Sequence, residues 1–135
     1  MKKKQEKNMN KKEEKENKLL LIPKTENYIK YMLQVILKLP RTEKFSMGTQ
    51  YKESMYEMIK DILMISKIEN KYIMKYLNKI DANINTQRIL LRIMKSEKWI
   101  DEKKFQTAMA QIYEIGKILG GLIKYYAKNN KEPIL

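Results

Sequence analysis

From Thr25 onward the apolar residues recur at three- and four-residue steps. Tyr28, Ile29, Met32, Leu33, Ile36 and Leu37 fall on one side of a helical turn, which predicts an amphipathic helix that Pro40 ends. The connection "PRTEKFS" is short, and Ser46 is placed to cap a second helix. The inward face of that helix is Met47, Tyr51, Met55, Met58, Ile59, Ile62, Ile65 and Ser66. A break is expected near Asn70. Ile73, Leu77, Ile80, Ile84, Leu91 and Met94 then mark a third, long helix ending before Trp99. Asp101 is a cap for a fourth, which carries Phe105, Met109, Ile112, Leu119, Ile123 and Tyr126. No strand-like alternation and no internal repeat interrupts this pattern. Four such helices joined by short loops predict an all-α fold, an up-down-up-down antiparallel four-helix bundle.

The first eighteen residues, "MKKKQEKNMNKKEEKENK", break the pattern. Two methionines are their only strongly apolar side chains, too few to offset the entropy of ordering the segment. The reading is a disordered basic arm over residues 1–18, a bundle over 19–128 and a short tail over 129–135. The chain carries +13, with 29 Lys and Arg against 16 Asp and Glu. Eight lysines and four glutamates lie in residues 1–18, so +4 belongs to that segment and +9 to the rest. A basic body of this kind is most simply tolerated when the partner is a polyanion, RNA or DNA first and an anionic membrane surface second.

Composition also removes chemistry. Without cysteine or histidine there is no disulfide framework, no thiolate zinc site and no imidazole base. No catalytic residue, cofactor or metal site is therefore expected. Glu57 and Asp61 sit four apart on the second helix, but without further ligands they read as a solvated face. Apolar runs such as Leu19 to Ile22 are too short to span a bilayer, and the lysine-rich start lacks a signal-peptide core, so a cytoplasmic protein without a membrane partner is expected. Met32, Met55, Met58, Met94 and Met109 lie at core spacing and read as packing.

Two features remain as candidates for binding. On the polar face of the third helix Lys71, Lys75, Asn78, Asn85, Arg88, Arg92 and Lys95 follow a common stripe; Lys117, Lys124 and Lys128 do so on the fourth, and Lys30, Lys38, Arg41 and Lys44 extend the basic set. Cations on stiff rods suit a phosphate chain. Arg88 and Arg92 stand out because Arg41 is the only other arginine, and the guanidinium fork matches phosphate geometry. The second feature is "EIGKILGGLIK", residues 114–124. Its glycines, Gly116, Gly120 and Gly121, each cost a helix interior roughly 1 kcal/mol relative to alanine. They read as a strip on which another backbone packs closely, within the chain or between subunits, in preference to a helix cap.

Three segments, "LPRTEKFSMG" (Leu39 to Gly48), "YLNKIDANINTQRILLRIMKSEKWID" (Tyr76 to Asp101) and "EIGKILGGLIK", give the chain a likeness to a known family. It resembles the four-helix-bundle accessory variability determinant (Avd) proteins of diversity-generating retroelements. The resemblance implies a homopentameric barrel of bundles that binds RNA or DNA and the element's reverse transcriptase. It also implies a non-catalytic role in mutagenic cDNA synthesis, with Arg88, Arg92 and Lys117 on the polyanion and polymerase surface. A basic bundle that binds nucleic acid or acts as an RNA chaperone, unconnected to a reverse transcriptase, is the other reading.

Overall fold

The structure, a computed structural model, describes residues 8–130. Four long helices, α1 (Lys11–Leu37), α3 (Met47–Ile65), α4 (Ile73–Ser96) and α5 (Glu102–Asn129), are joined by a one-turn helix α2 (Arg41–Lys44), a 3-10 turn (Asn70–Tyr72) and a short link after α4. Among the described residues there is no strand. Each long helix packs on its neighbours in sequence and α1 closes the ring against α5. This is the expected four-helix bundle, reached because short connections force consecutive amphipathic rods to lie antiparallel.

The first helix begins eight residues before the boundary read from composition. Residues 11–18 are helical, not a disordered arm; residues 1–7 of that arm, and 131–135 of the tail, lie outside the described set. Asn10 caps α1, its side chain accepting from the Glu13 amide at 2.9 Å. Glu14 is buried, accepts from the Tyr126 hydroxyl of α5 and pairs with Lys18 at 2.7 Å. A polar segment with little apolar surface of its own is thus ordered by docking on the end of α5. Pro23 lies within α1, where it removes one backbone donor, toward the carbonyl of Leu19; Leu19 and Pro23 both face solvent.

The turns follow their chemistry with two departures. Asp101 caps α5 as expected, accepting from the Lys104 amide at 2.8 Å. Ser46 occupies the cap position of α3 but makes no side-chain cap bond. Gly48 is buried where α1 and α3 meet: a Cβ there would lie 2.9 Å from Ile36 Cγ2 and 3.2 Å from the Glu43 carbonyl. The end of α4 closes with Trp99 donating to the Met94 carbonyl at 2.9 Å and Lys98 to that of Lys95 at 3.0 Å. This hydrogen-bond pair places Lys98 at φ 62°, a left-handed position that favours glycine.

The core consists of Leu, Ile, Met and Tyr side chains from all four rods, including Met32, Met55, Met58 and Met94; Met109 packs at its margin. It also takes in Leu21, Ala108, Ile115 and Leu122. Two expectations are corrected. Ser66 is exposed, because α3 has ended at Ile65. Asp61 is buried, not solvated, with Oδ1 3.5 Å from Lys79 Nζ and Oδ2 without a partner. Its flank of α3 faces α4, where Ser54 also bonds the Asn83 side chain at 2.9 Å. Glu57 stays exposed, and the described residues contain no cluster of three or more metal-ligating side chains.

Candidate nucleic-acid interface

Arg88 lies in the seam between α4 and α5. Both arginines were expected to face solvent: Arg92 does, whereas Arg88 is half-buried. Its guanidinium crosses the seam and rests over Gly116, so that a Cβ on Gly116 would lie 2.7 Å from Arg88 Nη2. Nη1 donates to Asn85 Oδ1 at 3.2 Å, one turn back on the same helix. Among the described residues neither arginine has a carboxylate within ion-pair distance. Tyr113, an exposed aromatic, lies one turn before Gly116 on α5. Two guanidinium groups without acidic counter-ions, one of them held by its neighbours, are a chemically competent seat for phosphate oxygens.

The other predicted cations are distributed unevenly. Lys117 is exposed on the outer face of α5, and Lys75 on that of α4. Lys95 donates to Glu102 at 2.9 Å and stacks 4.6 Å from the Phe105 ring. This bond holds the Glu102 carboxyl below its ordinary pKa, so Lys95 ties the two helices together. Lys71 sits on the 3-10 turn, 3.9 Å from Glu69 and over the Tyr72 ring. Lys124, with Lys11, Lys128 and Tyr125, lines a cleft of about 730 Å³ where α1 starts and α5 ends. Arg41 lies on α2, between α1 and α3, and is not brought to the α4–α5 seam. A continuous stripe is therefore replaced by a central pair with flanking lysines.

The glycines do not hold two backbones together within this chain. Gly116 accommodates the Arg88 side chain, with Ile84 Cγ2 behind it. Gly121 faces the Met9 side chain, its Cβ position 3.3 Å from Cε, and Gly120 meets nothing within 4 Å. The cap reading fails too, because α5 continues to Asn129.

Behind Arg88 the bundle is polar as well as apolar. Tyr28 and Tyr51, both fully buried, join α1 to α3 through their hydroxyls, and burial raises both pKa values well above the ordinary phenol. The Arg88 charge acts on Tyr28 in the opposite direction. Gln87, also fully buried, donates to Ser54 Oγ at 3.0 Å. Periodicity placed Tyr28, Tyr51 and Asn85 on their helix faces but not with these partners, and it missed Ser54 and Gln87. The available signal was register: short loops set Arg88 opposite Gly116, whose missing side chain leaves room for a guanidinium.

The opposite side of the bundle, between α1 and α3, carries an apolar stripe. Lys24 marks the α5-facing flank of α1, through a 2.8 Å ion pair with Glu114. On the other flank lie Ile22, Ile29 and Leu33, with Leu19 (55% exposed) beside them; across the seam α3 presents Tyr56, Ile59 and Leu63, the last 48% exposed. Among the described residues no helix is long and apolar enough to cross a membrane.

Compared with known proteins, residues 19–126 match the model of a family described as bAvd-like. Comparison with curated proteins and with solved structures gives no match.

Proposed function

Because the chain belongs to the bAvd-like family, we propose that it is a non-catalytic accessory subunit of a diversity-generating retroelement. In this reading it binds the template RNA or its cDNA together with the reverse transcriptase, and thereby supports mutagenic cDNA synthesis. The observation that carries the reading is the pair Arg88 and Arg92, set on a rigid helix without carboxylate partners among the described residues. Lys117 and Lys75 extend the positive field to either side. Backbone phosphates are the ligand such a surface suits, with affinity that depends steeply on salt and little on sequence.

Self-association belongs to the same reading, as a homopentamer. The stripe from Leu19 to Leu33 and from Tyr56 to Leu63 supports it, because exposed hydrocarbon gathered along one seam of a strongly basic protein is best covered by another copy. Binding and assembly then use opposite sides of each bundle.

The test is reconstitution of cDNA synthesis with the reverse transcriptase and a template RNA, using wild type and the double variant Arg88→Ala, Arg92→Ala. The variant should keep its helical content and melting behaviour, lose cDNA synthesis and bind RNA with a salt dependence reduced by one to two contacts' worth of slope. Unchanged RNA affinity and salt slope would remove the arginine pair from the interface.

A further inference from the structure

We infer that Gly116 is a positioning residue for Arg88: by omitting a side chain it creates the seat that aims the guanidinium outward from the α4–α5 seam. This rests on the reading of Arg88 as a phosphate contact and adds what holds it in place. The seat has three sides. Asn85 Oδ1 accepts from Nη1 at 3.2 Å, the bare Cα of Gly116 takes the opposite edge, and Ile84, one turn before Arg88 on α4, packs beside Gly116 with Cγ2 3.9 Å from its Cβ position. A methyl group at Gly116 would stand 2.7 Å from Nη2, closer than real Cβ atoms come, and 3.7 Å from Cζ, an ordinary contact. The guanidinium is the end of a flexible chain, so it yields and the backbone stays.

The expected result of Gly116→Ala is therefore an intact bundle with an unseated Arg88. A seated guanidinium has surrendered its rotamer freedom before the phosphate arrives; an unseated one surrenders it on binding, and affinity falls without any loss of charge. Gly120 serves as the control, since a Cβ there meets nothing within 4 Å. Its helix propensity gain is the same and its effect on Arg88 is nil.

The experiment is a double-mutant cycle on the full chain, read by fluorescence anisotropy with a labelled single-stranded RNA at several salt concentrations, and by thermal melting. Arg88→Ala should weaken RNA binding about tenfold. Gly116→Ala should weaken it by about fivefold, the two together no more than Arg88→Ala alone, and Gly120→Ala not at all. In melting, Gly116→Ala should raise Tm more when Arg88 is also replaced by Ala, because the methyl then enters empty space. Wild-type affinity in Gly116→Ala beside a weakened Arg88→Ala overturns the seat and leaves the phosphate contact standing. Wild-type affinity in Arg88→Ala overturns both. Should Gly116→Ala fail to fold, recovery of the fold by adding Arg88→Ala supports the same contact, and failure in both backgrounds refutes it.

Discussion

The seam between α4 and α5 and the seam between α1 and α3 are built from the same kind of rod, yet their outer margins differ. The first is edged by Arg88, Arg92 and Lys95, with glycine where a side chain would obstruct and Lys117 farther round the outer face of α5. The second is edged by Leu19, Ile22, Tyr56 and Leu63. Both inner faces bury comparable Leu, Ile and Met side chains, so the difference contributes little to folding. It decides what each side attracts. A cationic margin gains by meeting phosphate, whereas a hydrocarbon margin gains by leaving water.

The largest expected effect removes the support beneath the polar seam. Ile84 is fully buried and packs beside Gly116, its Cγ2 3.9 Å from the Cβ position there. Ile84→Ala should cost roughly 2 to 4 kcal/mol in urea denaturation and loosen Arg88 together with the core. A cost under about 1 kcal/mol would mean that the seam is less tightly packed than its geometry implies.

On the apolar side, Leu19→Lys with Leu63→Lys should leave the stability of the single bundle within about 0.5 kcal/mol, since both leucines are already near half exposure. Sedimentation should at the same time record association weakened by about tenfold or more. Association unaffected by both lysines would move the subunit contact elsewhere and erase the contrast between the two sides.

Gly120→Ala should raise stability by about 1 kcal/mol, read as a higher Tm, because it adds helix propensity in open space. A loss instead of a gain would reveal a neighbour at that face in the assembled protein. Lys98→Gly should add up to about 1 kcal/mol by relieving the left-handed residue after α4.

The smallest effect is electrostatic. Lys95 lowers the Glu102 pKa and Lys24 that of Glu114, so the stabilisation from each carboxylate is complete above the ordinary carboxylate pKa of 4.5 and is lost as pH falls through the lowered value. Both carboxylates are solvated, so Glu102→Gln should only slightly flatten the acid limb of a stability-versus-pH curve. The buried tyrosines act at the other extreme. Their raised pKa values keep their contribution whole below pH 10.0 and withdraw it as pH rises further, so phenolate absorbance of Tyr28 and Tyr51 should appear only with unfolding.

Much of this was legible in the chain. The periodicity from Tyr28 to Tyr126 defined four rods, and Pro40, Asp101 and the break near Asn70 separated them, because these signals are local. What escaped was set by distant partners. Residues 11–18 read as unfolded until the hydroxyl of Tyr126 supplies Glu14 with a bond across the bundle. Asp61 read as solvated until α4 covers it.

Sequence by itself determined that this protein is a basic bundle of four amphipathic helices, since helical period and net charge are properties of neighbouring residues and of their sum. Only tertiary structure decided that Arg88 is seated and Arg92 free of the seam, that Gly116 faces a guanidinium and Gly120 faces space, and that an exposed apolar stripe runs along the α1–α3 seam. Those outcomes depend on the rotation and register of one helix against another, which packing fixes and no single helix contains.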